Sequence, residues 1–534
     1  MVYDAAIVGG GIAGLTAAAY LSNAGYKVIV LEKEKNIGGL VNSFQYKGFT
    51  FDGGIRAIEN SGIVEPMLRQ LGIHIDFVRN PVTIGIQDKI VKLHDEDSLK
   101  EYQALLVSQF PESEEDIQNI MNEVKRVMHY MKVLYGIDNP LFLDLKKDKE
   151  YLYRTILPWL FKYIFTIGKI KKFNAPIDEH LNQLTQNQGL ISIIAQHFFK
   201  KTPAFFALSY FSLYLDYKYP MGSTGEITTQ LEKYIHKHHG EIFTETQICG
   251  VNPHLHRITD AKGNQFNYKQ LIWAADLKSL YAVTDIGSIP SSKIRQKIMK
   301  MESNVRDKTG GDSIFTLYMT VDLDKSYFED KCSAHYFFTP LKEGLHHIDL
   351  NALRDHPDGK IGFTTDKQAI IDWLLRYYEL TTYEISLPVM RNENLAPHGK
   401  TGLIISTLFE YSLAKHISEM GWYEEFKEIS GQAIARMLDK TAFPGIESKI
   451  MDMFTSTPLT LERVTGNSDG AITGWAFTNS HMPVVNDLPK VAQSVLTPIP
   501  DVYQAGQWTY SPSGLPISIL TGKLAADRVI KQLR

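Results

Sequence analysis

The chain has 534 residues, of which 44% are hydrophobic and 22% are charged, and its formal net charge is −4. That length exceeds what one hydrophobic core usually absorbs, so two domains are expected, and the small net charge gives no reason to expect a nucleic-acid partner. The two cysteines, Cys249 and Cys332, are too few and too far apart for a disulfide framework or a cysteine metal site. A reducing, cytoplasmic compartment is therefore predicted.

The sequence shows no secretory signal and no apolar stretch of the roughly 18 residues that a membrane-spanning helix needs. We therefore expect a chain that does not cross a membrane, although it can lie on one. The histidines show no spacing typical of metal ligands, so no metal site is predicted.

Residues 3–33 follow the order strand, glycine turn, helix, strand and acid. Gly9 suits a tight turn, Gly11 lets the backbone approach a pyrophosphate, and Gly14 lets the helix pack closely on the strand. The helix start supplies unpaired N–H groups and the positive end of the helix dipole. Glu32 ends the second strand, where its carboxylate can accept from ribose hydroxyls, which favours FAD or NAD over NADP. These residues predict an adenine-dinucleotide site.

A second glycine cluster follows at residues 36–60. Gly38–Gly39 and Gly53–Gly54 are positions where the backbone can approach a ligand closely. Between them, the segment FQYKGFTF predicts a β-hairpin that turns at Lys47–Gly48. Because the cluster comes directly after a dinucleotide motif, we interpret it as part of the same site; two ordinary turns are the alternative.

The residue spacing and composition of residues 91–217 predict a helical region. Residues 98–135 have helical spacing, and residues 151–172 and 198–219 are rich in aromatic and basic residues, with no acidic residue in the first of these two. This composition suits a bilayer interface, where anionic headgroups attract lysines and aromatic rings lie at headgroup depth. Peripheral membrane contact is predicted, and a helical cap packed on the protein is the alternative.

The α/β pattern returns after residue 218, and a second sheet is predicted further along the chain. Gln270–Asp276 is an apolar strand that ends in small residues, which leave room for a ligand at its carboxyl end. Ile314–Val321 and Leu403–Leu408 are strands by their β-branched and aromatic content, and Glu424–Met437 is an amphipathic helix. Residues 291–464 are therefore predicted to form an α+β substrate domain.

The last segment repeats the order strand, glycine loop, helix start. Val502–Gln504 predicts a short strand that leads to Gly506, and a helix is expected to begin near Pro516, a residue suited to a first helical turn. A helix start after the loop at Gly514 offers a second electropositive backbone site. Beside a flavin ring, this site would stabilise negative charge on the reduced ring.

Six separated segments together resemble the phytoene desaturase, carotenoid isomerase and retinol saturase group of FAD-dependent oxidoreductases. They are VGGGIAGL at 8–15, GFTFDGG at 48–54, YPMGSTGEI at 219–227, RNENLAPHGKTGL at 391–403, TGNSDGAITGW at 465–475 and AGQWTYSPSGLP at 505–516. Within the group, FDGGIRAI at 51–58 is closer to the retinol saturase pattern. The resemblance spans nearly the whole chain and is weakest in the helical region.

The resemblance implies an α/β fold with three parts. A discontinuous, glutathione-reductase-like Rossmann domain for FAD takes residues 1–90, 218–290 and 465–534, a helical cap takes 91–217, and the substrate domain takes 291–464. FAD is expected to bind non-covalently, since no cysteine lies near the closing loop. Together with the glycine motif, the resemblance places the cofactor against Gly9, Gly11, Ile12, Ala13, Gly14, Glu32, Lys33, Gly38, Gly39, Gly53, Gly54, Ile248, Ala275, Gly506, Gly514, Leu515 and Pro516.

The resemblance also implies hydride transfer between FAD and a carbon–carbon double bond of a lipophilic, often isoprenoid, substrate. Desaturation, saturation and isomerisation stay open. Saturation needs a proton donor, and the candidates are Arg56, Glu59, His335 and Tyr336. A second dinucleotide motif is not evident, so the electron partner stays open between a quinone, NAD(P)H and a protein.

Two alternatives belong to other classes. One is a flavin amine oxidase, and the other is a non-catalytic GDI- or escort-like protein that binds lipidated partners. For each of these functions, the predicted location is cytoplasmic, with peripheral contact to the inner face of the membrane as a further expectation.

Overall fold

Two large sheets organise the computed structural model, which describes residues 1–143, 149–355 and 362–534. Its strands are β1 Val2–Val8, β2 Val28–Leu31, β3 Ser43–Tyr46, β4 Phe49–Asp52, β5 Phe77–Arg79, β6 Val82–Ile86, β7 Lys89–Leu93, β8 Lys218–Pro220, β9 Glu241–Phe243, β10 Ile248–Asn252, β11 Arg257–Asp260, β12 Gln265–Trp273, β13 Ser313–Val321, β14 His335–Thr339, β15 Arg354–Asp355, β16 Gly362–Phe363, β17 Tyr383–Ser386, β18 Thr401–Phe409, β19 Ile450–Ser456 and β20 Val502–Gln504.

The helices are α1 Ile12–Asn23, α2 Val64–Leu71, α3 Ser98–Gln109, α4 Glu114–Tyr135, α5 Lys149–Tyr151, α6 Leu157–Ile170, α7 Ile177–Leu181, α8 Gln188–Ala195, α9 Ala204–Asp216, α10 Glu226–Lys237, α11 Leu277–Val283, α12 Ser292–Arg306, α13 Ser326–Glu329, α14 Lys367–Leu380, α15 Tyr411–Glu419, α16 Tyr423–Lys440, α17 Pro458–Thr465 and α18 Leu515–Leu533. Within the described residues, none of them combines the length and the apolar character needed to cross a bilayer.

The first sheet positions the glycine motif. Its order is β10-β11-β12-β1-β2-β9, and β20 pairs in parallel with the end of β12. Since β1 is parallel to both of its neighbours, the glycine turn emerges at the carboxyl edge of the strands, where open α/β sheets bind ligands. The predicted strand–turn–helix–strand unit and the predicted strand at Val502–Gln504 are confirmed.

Helices α1 and α18 bring the two ends of the chain together. Most of α1 is buried, and it packs on α18. A Cβ on Gly522 would collide with the carbonyl oxygen of Ala13, so glycine at this position allows the close approach of the two helices. The closing helix contains Pro516 in its first turn, as predicted. This packing holds the closing loop next to the glycine turn.

The second sheet has two unlike faces. Its order is β19-β13-β18-β17-β14-β6-β7, and its pairs are antiparallel except for β14 with β6. Side chains alternate between the faces of a strand. One face packs on α14, α15 and α16 in a hydrophobic core that includes Phe315, Leu317, Tyr336, Phe338 and Ile405. The residues that alternate with these point to the other face, which carries Thr316, His335, Glu384, Ser386 and Ser406.

Residues 82–93 belong to the second sheet, which corrects the sequence interpretation. The prediction grouped residues up to 90 with the dinucleotide-binding domain, but β6 pairs with β14 and β7 pairs with β6. A parallel partner so distant in the chain leaves no signal in the local pattern of β6. The region 91–217 contains α3 to α9, and its role as a helical cap and the other domain limits stay predictions.

Candidate active site

The glycine turn after β1 forms a cradle with space for a ligand. Gly9 has a φ of 104°, and a Cβ there would lie 2.7 Å from the carbonyl oxygen of Ala274. A Cβ on Gly14 would collide with the carbonyl oxygen of Gly9, whereas a Cβ on Gly11 would meet no atom within 4 Å. The backbone itself therefore requires glycine at positions 9 and 14, and Gly11 leaves open space.

The start of α1 offers unpaired N–H groups beside that space. Gly11 is the N-cap residue, and no side chain among the described residues caps the helix. The N–H groups of Ile12, Ala13 and Gly14 therefore have no partner within the helix, and the helix dipole adds positive charge. Such a helix start binds phosphate, so the residues present fit the pyrophosphate of an adenine dinucleotide.

Glu32 and the Gly38–Gly39 turn are hydrogen-bonded to this cradle. The Glu32 carboxylate accepts from the N–H of Gly10 at 2.6 Å and from the N–H of Glu34 at 2.9 Å. Burial raises the pKa of Glu32, and the two donors oppose that shift. The N–H of Gly38 donates to the carbonyl oxygen of Gly10 at 2.8 Å. Glu32, the predicted ribose acceptor, and the Gly38–Gly39 turn are thus both held against the glycine turn that follows β1.

The closing loop approaches the same place. Gly506, with a φ of 96°, lies against α1, because a Cβ there would be 3.3 Å from the Cβ of Ala13. Gly514 is the N-cap of α18, without a capping side chain in the described part of the chain, and Leu515–Pro516 form its buried first turn. A Cβ on Gly514 would lie 3.9 Å from the Oε1 of Glu59. Glu59 is therefore next to the second uncapped helix start.

Gly53 and Gly54 are required by packing between chain segments. A Cβ on Gly53 would collide with the side-chain oxygen of Asn42, and one on Gly54 would collide with the carbonyl oxygen of Leu40. The chain's close approach to itself thus requires glycine at both positions, and contact of this pair with the cofactor stays a prediction. The packing requirement was missed because the partner segment is identified only by its position in space.

The remaining predicted cofactor residues lie along the first sheet. Ala275 follows β12, and its backbone nitrogen would be 3.3 Å from a Cβ on Gly9. Ile248 is buried at the start of β10. Lys33 donates to the carbonyl oxygen of Arg463 at 2.7 Å. Contact of these residues with the cofactor stays a prediction.

Asp52 joins two of the segments that carry the family resemblance. The predicted hairpin forms from β3 and β4, and Lys47 and Gly48 have positive φ angles of 49° and 86° at its turn. At the end of β4, the fully buried Asp52 accepts from the Tyr219 hydroxyl at 2.8 Å, and from the N–H and the hydroxyl of Thr224 at 3.0 and 2.7 Å. The segments GFTFDGG and YPMGSTGEI therefore form one structural unit, which the sequence analysis did not foresee.

Arg56 and His335 meet at Glu384, a residue that the sequence analysis missed. His335 Nε2 lies 3.1 Å from one carboxylate oxygen of Glu384, and Arg56 Nη1 lies 3.5 Å from the other. Arg56 also donates to the hydroxyl of Ser406 at 2.6 Å. Strand pairing places Glu384 opposite Phe337. The available signal was a lone acidic residue within the apolar strand β17.

Glu384 is ionised near pH 7 because of its charged neighbours, whereas His335 is neutral because it is buried. Burial acts to raise the pKa of Glu384, but the Arg56 guanidinium and the contact with His335 lower it to about 2. Burial lowers the pKa of His335, although Glu384 opposes that shift. The side chains of Arg56 and His335 are almost fully buried, whereas that of Glu384 is 32% exposed. Glu384 is therefore the accessible member of this group of three.

Tyr336 lies on the opposite face of β14 from His335. Its ring is buried in the hydrophobic core of the second sheet, next to Phe338 and Phe443. Neighbouring residues of a strand point to opposite faces, so the structure does not bring Tyr336 to the other three predicted acid–base candidates.

Glu59 is surrounded by tyrosines. Burial, reinforced by the charge of Asp216, raises the pKa of Glu59 to about 7. Burial also raises the pKa of Tyr135, Tyr210 and Tyr217, and the charge of Glu59 adds to each of these shifts. A carboxyl group with this pKa can hold or release a proton near neutral pH.

An apolar cavity lies between the second sheet and helices α4, α8 and α9. Residues from both sides form its wall, among them Ile84, Phe337, Val124, Ile193 and Tyr210. A mostly apolar lining with few polar groups is typical of pockets for small-molecule ligands. Glu384 lies beside this wall because it pairs with Phe337, and the charge of Glu59 adds to the raised pKa of Tyr210.

Comparisons with known proteins agree with this geometry. Residues 7–71 match the family described as an NAD(P)-binding Rossmann-like domain. Prolycopene isomerase of Daucus carota is 23% identical over 99% of this chain and 80% of its own length. The 4,4'-diapophytoene desaturase of Staphylococcus aureus is 23% identical over 99% of both chains. An inactive all-trans-retinol 13,14-reductase of Danio rerio is 27% identical over 46% of this chain and 42% of its own length.

The fold also has a counterpart among solved structures. An oxidoreductase from Methanosarcina mazei covers 99% of both chains with a TM-score of 0.60 and 13% identity. The predicted α/β fold class is confirmed. The relatives confirm the predicted resemblance to the phytoene desaturase, carotenoid isomerase and retinol saturase group.

Proposed function

We propose that this chain is an FAD-dependent oxidoreductase that acts on carbon–carbon double bonds of a lipophilic, isoprenoid- or polyene-like substrate. The observation that carries the proposal is the position of Glu59. Its carboxyl group lies beside the uncapped start of α18, and its charge acts on Tyr210, a residue that lines the apolar cavity. Similarity over the full length to a carotenoid isomerase and a carotenoid desaturase supports the substrate class.

When bound, FAD supplies hydride transfer to or from one carbon of the double bond. The chain contributes binding, orientation and proton handling. The N–H groups at the start of α1 hold the pyrophosphate, and Glu32 accepts from the ribose. The apolar cavity takes the hydrocarbon chain and excludes water. Glu59 gives a proton to the second carbon in saturation and takes one in desaturation.

The site favours this function over the two alternatives. An ammonium substrate needs an uncompensated carboxylate, but Arg56 already neutralises Glu384, and the raised pKa of Glu59, about 7, leaves its carboxyl group partly protonated at neutral pH. A non-catalytic lipid-binding protein has no use for the open cradle at Gly11. We also propose that FAD binds non-covalently, because Cys249 is exposed on β10 and Cys332 lies in the core of the second sheet, away from the closing loop.

Electron exchange with polyenes tests the proposed function. Purified protein is expected to show the visible absorbance of a flavin. After anaerobic photoreduction, all-trans-retinol or a carotenoid is expected to restore the oxidised spectrum, or else the oxidised protein desaturates a more saturated isoprenoid. Protein that cannot be loaded with FAD would contradict the cofactor assignment. Loaded protein that exchanges electrons with no polyene in either direction would contradict the substrate class.

We further propose that α6 rests on the cytoplasmic, inner face of a membrane. Its outward side exposes large apolar residues, with Phe161 at 69% and Phe165 at 73% exposure. Exposed lysines accompany them, and such a surface suits anionic headgroups. The indole of Trp159 on α6 donates to the carbonyl oxygen of Val133 on α4, and α4 ends at Tyr135, whose raised pKa is increased further by the charge of Glu59. Helix α6 therefore lies near the Glu59 end of the site, where a membrane-dissolved substrate would enter.

Replacing both exposed phenylalanines tests the membrane contact. Phe161→Ser with Phe165→Ser is expected to weaken co-flotation with anionic liposomes by at least about tenfold, because two rings no longer leave water on binding. A matched control replaces Met299 and Leu375, which are 57% and 43% exposed on α12 and α14, by serine. The proposal is wrong if the phenylalanine variant floats as well as the control.

A further inference from the structure

A hydrogen-bond acceptor that the fold does not use fully lies beside the apolar cavity. The Glu384 side chain is 32% exposed, and two residues that line the cavity are its neighbours on the sheet: Phe337 pairs with it, and Thr382 lies two residues before it. Its two oxygens contact His335 at 3.1 Å and Arg56 at 3.5 Å, and the second distance is at the long limit of an ion pair. An ionised carboxylate has about four acceptor positions, so capacity is left for a further donor.

Arg56 is also incompletely paired. Its Nη1 and Nη2 groups contact Glu384 and Ser406, but its Nε–H is buried without a hydrogen-bond partner among the described residues. A buried donor without a partner is costly and calls for an explanation. An arginine that served only as a structural partner of Glu384 could be satisfied by a two-pronged contact, which this geometry does not make.

The charges around this cluster are balanced. Arg391 lies close to Arg56 and Glu384, and its guanidinium covers the ring of Tyr219 at 4.4 Å. Two guanidinium groups, Arg56 and Arg391, therefore face two carboxylates, Glu384 and Asp52. Within this cluster of four groups, no charge is left over to hold either a carboxylate or an ammonium group. The complementary ligand group is neutral, donates to Glu384 and can accept from the guanidinium side, and a hydroxyl group does both.

We propose that Arg56 and Glu384 bind a hydroxyl group of the lipophilic substrate, so that the preferred substrate is a polyene or isoprenoid alcohol rather than a hydrocarbon. This inference rests on the proposed function. A pure hydrocarbon would cover the Glu384 carboxylate without offering a donor, and burying an unsatisfied charge is unfavourable. His335 is a positioning residue in this arrangement, because it holds one oxygen of Glu384 from the buried side.

Three related probes test the assignment: all-trans-retinol, its methyl ether and the corresponding hydrocarbon without oxygen. Binding to the FAD-loaded protein is measured by ligand fluorescence, which does not depend on turnover. The native protein is expected to bind the alcohol about 100-fold more tightly than the ether, because a site built for a hydroxyl rejects analogues that cannot donate. Glu384→Gln is expected to reduce this preference to a few-fold, while the exposed control Glu425→Gln keeps it.

A second variant keeps the inference testable if the Glu384→Gln protein does not fold. The double change Arg56→Met and Glu384→Met replaces the pair by apolar side chains of similar size, which buried ion pairs often tolerate, and it is expected to bind the alcohol and the ether equally. Equal binding of alcohol and ether by the native protein would overturn the inference and leave the proposed function intact. A preference for the alcohol that persists in the folded, FAD-loaded double variant would also overturn the inference and leave the proposed function intact. Failure of all three probes to bind would overturn both.

Discussion

Gly11→Asp is expected to yield a folded protein that carries no FAD. A Cβ at this position meets no atom within 4 Å, and the backbone angles, φ −74° and ψ 176°, suit any residue. The new carboxylate would occupy the space at the start of α1, where it replaces and repels the pyrophosphate. We expect FAD affinity to fall at least about 100-fold, since two like charges a few ångströms apart in a partly buried site repel strongly.

The measurement is the flavin-to-protein ratio after reconstitution, with circular dichroism as the check on folding. Gly168→Asp is the matched control, because a Cβ on Gly168 also meets open space and the residue is exposed on α6. Stoichiometric FAD in the Gly11 variant would show that the cradle does not hold the cofactor. Loss of FAD from both variants would show that added charge, rather than position, is responsible.

Glu59→Gln is expected to slow turnover by about 10²- to 10⁴-fold, the usual range for removing a general acid or base, with the FAD content unchanged. The sign of the pH dependence follows from the raised pKa of about 7. Below that pH the carboxyl group holds its proton, so the rate of saturation is at its plateau. Above it the rate falls about tenfold per pH unit, and desaturation shows the opposite trend.

Pre-steady-state rates between pH 5 and 9 would measure this dependence, roughly two units on each side of the pKa. The Gln variant is expected to lose the pH-dependent limb, and Glu59→Asp to regain part of the rate. Glu410→Gln, which removes a carboxylate paired with Lys200, serves as the control. A Glu59→Gln protein with native rates and a native pH profile would remove Glu59 from the mechanism. It would leave the FAD site and the substrate class untouched.

The elements with strong local signals were predictable. The first β-α-β unit, the hairpin at Lys47–Gly48 and the closing helix at Pro516 all form where the sequence places them. Glycines with positive φ, alternating strands and a proline in a first helical turn are each specified by a few neighbouring residues. The strands at 313–321 and 401–409 and the helix at 423–440 also match the predicted segments within a few residues.

The acid–base candidates show where local reasoning ends. Arg56 and His335 were identified in separate segments, but Glu384, which joins them, was not. His335 and Tyr336 are neighbours in sequence, yet the pleat of β14 sends one toward the cavity and the other into the core. Alternation is readable from sequence, but which face becomes the site depends on what packs against each face.

Taken alone, the sequence determined the dinucleotide motif, the acid at Glu32 that follows it and the composition of the helical region, because those depend on residues close together in the chain. Only the tertiary structure decided that β6 joins the second sheet, that Asp52 ties the hairpin to Tyr219 and Thr224, and that Glu59 meets the loop at Gly514. Each of these contacts links segments far apart in sequence. Their partners are selected by the packing of whole sheets and helices, and no local pattern encodes that choice.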